Sequence, residues 1–299
     1  MNKISIIVLT FNQENFIAQT IEGIFMQKID VPLELIISND ASTDSTAEVI
    51  KSAIKNAPEN IEVKFFEQPK NLGSTPNFYF ALKQITGNYV AFCEGDDFWT
   101  NENKLQIQYD FLRQNPEYAL CFHQTKNISD DEKIDETLFS KIENRDYSAL
   151  EIYQHWIVHT SSVFMKTEVL KNEAATEMLK HPDLLYFDTI LYMASALNGK
   201  IKGLNFTMSK YRRHTAGLSD GINHKRDLRH NRLDEIIGKI YGGKIKESAD
   251  WQIFSRSRIA FNQSISKGNF ILAAKHLNWI LKKRKNLKIY IKKKIHHNA

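Results

Sequence analysis

Ile4 to Leu9 is an apolar, β-branched run, which predicts a strand buried on both faces of a parallel sheet. Gln13 to Gln27 follows with Phe16, Ile17, Thr20, Ile21, Ile24 and Phe25 at helical spacing. A second apolar run, Leu33 to Ile37, ends in the polar Ser38-Asn39-Asp40. Asp44 to Lys55 then reads as a helix, Ile61 to Phe66 as a strand, Pro76 to Ile85 as a helix and Tyr89 to Cys93 as a fourth strand. Strand and helix thus alternate four times, the mark of βαβ units in a doubly wound parallel sheet, whose ligands bind beyond the carboxyl ends of the strands.

Past the fourth strand the rhythm changes. A helix over Asn101 to Gln114 closes at Asn115-Pro116, and Tyr118 to His123 reads as a strand. Asn127 to Arg145 has no clear period and reads as a mobile loop. Thr160 to Met165 and Ile201 to Tyr211 read as strands, with a helix over Tyr186 to Leu197 between them. From Asn223 onward the pattern is helical, interrupted at Gly242-Gly243 and Gly268, which predicts a C-terminal helical appendage.

Composition is that of a folded globular chain, with 42% apolar and 25% charged residues. No stretch is apolar for long enough to span a bilayer, and Met1 to Thr10 carries no cleavage site, so the expected location is cytoplasmic. Cys93 and Cys121 sit in apolar surroundings and read as buried thiols. The net charge of +5 conceals an asymmetry: no acidic residue follows Asp250, while 12 Lys and Arg do. A mildly acidic body therefore bears a strongly basic tail, for which an anionic surface is the expected partner.

The chemistry of such a sheet lies just after each strand. Thr10-Phe11-Asn12 lacks the glycines of a dinucleotide fingerprint or a phosphate-cradling P-loop, which removes the main support for hydride transfer and nucleotide hydrolysis. Asp40, at the tip of the second strand, can accept from a base N–H or a ribose hydroxyl, and Ser42 and Asp44 can equally cap the next helix. Glu94-Gly95-Asp96-Asp97 puts three carboxylates within four residues, between an apolar strand and Phe98-Trp99. Such a group repels itself unless protons or a cation neutralise it, and hard oxygen donors on a loop suit Mg²⁺ or Mn²⁺. A solvated acidic turn is the simpler alternative.

These pieces, together with Asn71-Leu72-Gly73, stand in the order typical of GT-A glycosyltransferases, and the chain resembles the inverting family 2 over residues 3 to 220. The resemblance implies a Rossmann-like α/β fold with a mixed, mainly parallel central sheet flanked by helices. It divides the chain into a catalytic domain over 1–222, with a nucleotide-sugar half over 1–100 and an acceptor half over 101–222, and a helical region over 223–299. It implies that Thr10 and Asp40 hold the nucleotide base, with Asn12, Asn71 and Gly73 nearby in the nucleotide-sugar site, and that Glu94 lies by the ribose, next to Gly95. Asp96 would bind Mn²⁺ or Mg²⁺ on the donor diphosphate. Two departures stand out: Asn39-Asp40 replaces an acidic pair, and Glu94 replaces the first Asp of a DXD motif.

His159-Thr160-Ser161-Ser162, the stretch from Asp188 to Ile201, and Tyr211 to Ser219 resemble the acceptor side of bacterial members that build surface polysaccharides. In that comparison Asp188 takes the place of the catalytic base, with Asp183 as the nearest rival acid. Arg212, Arg213 and His214 suit a diphosphate leaving group, and His214 can complete a metal shell. The implied function is transfer of a sugar from a nucleotide-sugar donor to a glycan or lipid-linked acceptor. The alternative is a nucleotide-binding or membrane-surface module without catalysis. Apolar positions at helical spacing interleave with the tail lysines, which reads either as an amphipathic segment on the inner face of a membrane or as a solvated helix face with a frayed end. Nucleic acid is not expected, since no stacking platform accompanies the charge.

Overall fold

The computed structural model describes residues 2–129, 137–181, 184–213 and 224–297, with side chains described as far as Ile291. Asp183, His214, Gly217 and the middle of the expected Asn127–Arg145 loop lie outside the described residues, as do the side chains of Lys292, Lys293 and Lys294. The chain sorts into two compact units, Met1–Pro182 with Phe187–Leu218, and Asp183–Tyr186 with Ser219–Ala299.

The first unit opens with the expected alternation. Strands β1 (Ile4–Thr10), β2 (Leu33–Asn39), β3 (Ile61–Glu67) and β4 (Tyr89–Glu94) are separated by helices α1 (Ile17–Phe25), α2 (Thr46–Ala53) and α3 (Ser74–Leu82). There follow β5 (Phe98–Trp99), α4 (Lys104–Gln114), β6 (Tyr118–Ser129), β7 (Thr137–Leu138), α5 (Ala149–Gln154) and β8 (Phe164–Lys166). Helices α6 (Glu173–Leu179) and α7 (Phe187–Asn198) and strand β9 (Lys200–Arg213) complete the unit.

The described strands form one sheet in the order β3-β2-β1-β4-β8-β6-β9-β5, with β7 paired to β6. β1 to β4 are parallel, β8 runs antiparallel between β4 and β6, and β9 is parallel to β6. The order turns back on itself at β1, which pairs β2 on one side and β4 on the other, so a crevice opens at the ends of these three strands. Thr10, Asn39 and Glu94 all lie at that edge.

Strand residues on one face, Ile4, Ile6, Val8, Leu35, Ile37 and Cys93 among them, pack with Ile17, Ile21 and Ile24 of α1 and with Leu105, Tyr109 and Leu112 of α4. On the other face Phe78 of α3 stacks on Phe187 of α7 with ring centroids 4.0 Å apart, and meets Phe92 of β4 at 6.0 Å. Both cysteines are free and buried, as expected.

One charged side chain is embedded in this sheet. Glu34 of β2 is fully buried and accepts from Ser5 Oγ, from Thr86 N and Oγ1 at 2.6 Å each, and from Lys64 Nζ at 2.8 Å. Lys3 Nζ lies 3.1 Å from the same carboxylate. Burial alone would raise its pKa, but the hydrogen bonds from Lys64, Ser5 and Thr86 outweigh burial and hold it well below the usual carboxylate range.

The expected strand over Thr160 to Met165 is shorter than its apolar content suggests. Thr160–Ser162 is a 3-10 turn and the strand is Phe164–Lys166. Ser162 Oγ donates to the His159 carbonyl at 2.6 Å, and such local side-chain bonds compete with a sheet ladder.

The second unit contains α8 (His224–Tyr241), α9 (Gly243–Ser266), α10 (Phe270–Lys282) and α11 (Asn286–His297); the first two breaks fall at the expected glycines, and the third, at Lys283 to Lys285, has none. Asn231, Asp234 and Arg256 form a buried polar lock between α8 and α9, with Arg256 Nη1 2.7 Å from Asn231 Oδ1 and 2.9 Å from Asp234 Oδ2. Among the described residues no helix is long and apolar enough to cross a membrane.

Candidate active site

The crevice is built from turns that hold each other. After β1, Asn12 adopts a left-handed φ of 52°, which sends its Oδ1 to Thr43 N at 2.8 Å, while its own N–H donates to Ser42 Oγ at 2.9 Å. After β2, Asn39 Oδ1 accepts from Ser42 Oγ at 2.5 Å. Asp44 Oδ1 accepts from Thr46 N at 3.0 Å at the head of α2 and Oδ2 accepts from Glu14 N at 3.2 Å, so the helix-capping reading holds for this residue. Asn12 therefore joins the β1 and β2 turns through backbone groups.

Asp40 is buried and faces the Asn71-Leu72-Gly73 turn. Its Oδ1 accepts from Leu72 N at 2.7 Å and its Oδ2 from Gly73 N at 2.8 Å. Gly73 sits at φ +86°, a conformation that an L side chain would strain, and Asn71 Oδ1 also accepts its N–H at 3.0 Å. Asp40 thus shapes the turn with the same carboxylate that the sequence offers to a nucleotide.

The Glu94–Asp97 loop packs directly onto the end of β1. A Cβ on Gly95 would lie 2.9 Å from both Cβ and Oγ1 of Thr10, and the Gly95 N–H donates to Leu9 O at 2.9 Å. Thr20 Oγ1 on α1 donates to the Asp97 carbonyl at 2.6 Å. At the mouth of this contact Thr10 Oγ1 and Gln13 Oε1 are buried without a hydrogen-bond partner.

Three side chains converge beneath the loop. One donor atom each from Glu94, Asp97 and His159 falls within 4.8 Å of the others, and His159 Nε2 lies 3.6 Å from Asp97 Oδ2. Glu94 Oε2 and Asp97 Oδ2 are buried without a hydrogen-bond partner. Burial, and then the charge of Asp96, pushes the Glu94 carboxyl up to about 8 and raises that of Asp97 well above its ordinary value. Burial pushes His159 down to about 4, which keeps the imidazole neutral at physiological pH. Its Nδ1 lies 2.9 Å from Ser161 Oγ, which in turn donates to Ser209 Oγ at 3.1 Å. Nδ1 also accepts the Ser161 backbone N–H at 3.3 Å, and Nε2 is the ring nitrogen that faces Asp97.

Two carboxylates with orphan oxygens and one oriented imidazole fit a divalent cation of the Mg²⁺ or Mn²⁺ type. Asp96 is half-buried and Asp97 lies deeper, so the chain brings Glu94 and Asp97 together with a histidine that sequence reading treats as part of the acceptor side. The signal in the sequence is the third acid of the run; its partnership with His159, 62 residues on, comes only from the fold.

Asp188 stands in the first turn of α7, half-buried, with Oδ1 accepting its neighbour's Thr189 N–H at 2.8 Å. Burial raises its carboxyl to about 6, and its charge contributes to the upward shift of Glu94. Thr160 hydrogen bonds toward both Glu94 and Tyr192, and so lies between the loop and α7.

Arg212, near the end of β9, is engaged with the acidic loop. Its N–H donates to Asp97 Oδ1 at 3.0 Å, Nε to the Asp96 carbonyl at 3.2 Å and Nη2 to Gln19 Oε1 at 2.6 Å. The guanidinium lies over the rings of Phe16 and Phe98, 4.7 and 5.5 Å from their centroids. Arg213 is exposed, and His214 lies outside the described residues.

The model of glycosyl transferase family 2 matches residues 5–173, more than half of the chain, and the chain belongs to that family. An uncharacterised protein of Mycobacterium tuberculosis is 31% identical over 214 residues, which is 72% of this chain and 60% of the relative, so the chain spans about three-fifths of that relative's length. Staphylococcus aureus TarS (residues 1–349), solved with UDP-GlcNAc, superposes with a TM-score of 0.60 at 15% identity, covering 96% of this chain and 91% of that one. The mannosyltransferase PcManGT from Pyrobaculum calidifontis, solved with GDP-Man and Mn²⁺, gives a TM-score of 0.59 at 16% identity, over 97% and 86%. At these identities the likeness shows the fold, which is GT-A: a mainly parallel α/β sheet flanked by helices.

Proposed function

We propose that the protein is a metal-dependent, inverting glycosyltransferase that moves a sugar from a nucleotide-diphosphate sugar to a hydroxyl of a glycan or lipid-linked acceptor in cell-surface polysaccharide synthesis. The observation that carries this reading is the pair of orphaned buried oxygens on Glu94 and Asp97 beside Asp188, at the edge where the sheet order reverses. Membership of the family and the likeness to nucleotide-sugar complexes support the donor class.

In this proposal the catalytic domain spans 1–222 and the region 223–299 is accessory. The nucleotide lies across the ends of β1, β2 and β4, against Thr10, Asn12, Asp40 and the Asn71–Gly73 turn, with Glu94 and Gly95 near the ribose. Asp96, Asp97, Glu94 and His159 are the candidate ligands of Mn²⁺ or Mg²⁺, and His214 is a further one. A divalent cation, when bound there, neutralises charge on the departing diphosphate. Arg212 fixes the acidic loop from behind, and the exposed Arg213 is free to turn toward phosphate oxygens.

Asp188 acts as the base. A carboxyl raised to about 6 by burial is ionised at neutral pH yet takes a proton more readily than an ordinary aspartate. As the acceptor oxygen bonds to the anomeric carbon, its proton passes to Asp188 and the bond to the diphosphate breaks. One in-line displacement of this kind inverts the anomeric centre.

The test separates binding from chemistry. Asp188→Asn should lower transfer about 10²- to 10⁴-fold while donor affinity stays within a few-fold, because the amide keeps the shape and cannot accept the proton. Undiminished transfer by that variant contradicts the assignment, and a wild-type chain that binds nucleotide-sugars without turnover supports the non-catalytic alternative.

A further inference from the structure

Helix α10 has two apolar faces, and only one is used inside its unit. Ala273 and His276 are buried on the inward side, where α10 packs along α9. On the outward side Phe270, Ile271, Leu277 and Leu281 are 67%, 77%, 40% and 54% exposed. At 100° per residue, positions 270, 274, 277 and 281 fall within an arc of about 60°, with Ile271 about 60° further round, toward Lys282. A row of large apolar side chains at helical spacing on solvent is an interaction surface more often than chance.

The charges around the row say what covers it. Lys275 and Lys282 border it together on one side, and Arg284, Lys285 and Lys288 follow; all five are exposed. Lys283 is the exception, turned inward onto Asp250 Oδ1 at 2.6 Å. No acidic residue follows Asp250 in the whole chain. On α11 the exposed Leu287 and Ile291 continue the alternation of apolar and basic positions. A second copy of this face would bring like charges together, whereas phospholipid headgroups supply the opposite sign directly above a hydrocarbon layer.

We propose that the outward face of α10, with the basic residues that border it, docks on the surface of an anionic lipid bilayer. The helix lies in the plane of the interface rather than across it. Its 13 residues extend about 20 Å, short of the hydrocarbon thickness of roughly 30 Å, and its opposite face is already committed to α9. Phe270, Ile271, Leu277 and Leu281 enter the headgroup boundary, and Lys275 and Lys282, together on one side of the row, meet phosphates there. This goes beyond the transfer chemistry and does not require it, although a lipid-linked acceptor would be met at the same surface.

The experiment is flotation of the full chain with vesicles of phosphatidylcholine, alone and mixed with phosphatidylglycerol. The wild-type chain should float with the mixed vesicles and not with the neutral ones, and added salt should release it. Two variants separate the two contributions: Phe270→Ser/Leu277→Ser/Leu281→Ser, and Lys275→Gln/Lys282→Gln. Each should lower the partition coefficient by about tenfold or more with an unchanged helical circular dichroism spectrum. The lysine variant alters only exposed side chains, so it decides the matter if the apolar one misfolds. Failure to float with anionic vesicles, equal binding to neutral ones, or wild-type binding by both variants overturns the proposal. So does concentration-dependent dimerisation that the apolar variant abolishes in the absence of lipid. None of these results bears on nucleotide binding, which tests the transferase reading separately.

Discussion

The backbone N–H of Arg212 donates to Oδ1 of Asp97 at 3.0 Å across 115 residues of sequence. This bond closes the acidic loop against the last strand of the sheet, and the Arg212 side chain reinforces it through the Asp96 carbonyl and Gln19. It also leaves Asp97 Oδ2 as the oxygen that faces His159. The metal-binding candidates are thus held from behind by one residue that reaches both the loop and α1.

Arg212→Lys keeps the charge and loses the planar fork that makes the two side-chain hydrogen bonds. Loss of one or two charge-assisted or stacked contacts costs about 1–3 kcal/mol. The expected outcome is a rise of about tenfold or more in the donor KM with a smaller change in kcat, measured by steady-state kinetics. Unchanged kinetics would assign Arg212 a purely structural role.

Gly95→Ala introduces a Cβ that meets Thr10 Cβ and Oγ1 at 2.9 Å. The loop must then lift from the end of β1, taking Glu94 and Asp96 with it. Donor binding should weaken at least about tenfold, with a loss of about 1–3 kcal/mol in stability by denaturant titration, the range typical of overpacking. A variant of wild-type stability that binds donor normally would show that the loop has slack.

Asp188 sets the expected pH dependence. With Asp188 as the proposed base, active when ionised, and burial placing its pKa at about 6, kcat/KM should fall about tenfold per unit as the pH drops below that value. A pH–rate profile on a soluble acceptor measures this directly. An inflection near 4, the value of an exposed aspartate, would argue for a different base.

Glu34 governs a separate, acid-sensitive part of the stability. Its folded pKa is depressed below the ordinary value of 4.5, so its contribution is present in full above that pH and is lost as the pH falls below it. Glu34→Ala should cost about 2–4 kcal/mol at pH 7, because Ser5, Thr86 and Gly87 lose a buried acceptor while Lys3 and Lys64 can still turn to water. The cost should shrink as the pH is lowered toward 3, which chemical denaturation at two pH values checks.

The strands that open the fold are legible in the sequence because they are buried on both faces. The apolar runs at Ile4–Leu9, Leu33–Ile37 and Tyr89–Cys93 match β1, β2 and β4 within a residue or two. The boundaries between α8, α9 and α10 are legible for a different reason, since glycines punctuate a long helical period there, whereas the break before α11 carries no such signal. β5 is only Phe98–Trp99, too short to carry a period, and it forms because Lys210 and Ser209 of β9 lie opposite it. The same limit hides the site's depth. The acids of Glu94–Asp97 are visible as a run, but which of them faces inward is decided by Arg212 and His159, and no local pattern encodes contacts at that range. Asp40 shows the converse: its position at a strand tip is readable, and its bonds to Leu72 and Gly73 are not.

The central claim is that the acidic loop clasps a divalent cation against a nucleoside diphosphate. Thermal unfolding of the wild-type chain and of Glu94→Gln, Asp96→Asn and Asp97→Asn, with UDP, GDP or dTDP and with or without Mn²⁺, tests it most directly. A ligand at a hundredfold excess over its Kd stabilises by about 2.7 kcal/mol, a shift well within reach of the method. The expected result is that one nucleotide raises the Tm of the wild-type chain only when Mn²⁺ is present, and that the acid variants lose this shift. Equal stabilisation in the presence of a chelator, or a full shift in all three variants, would contradict it.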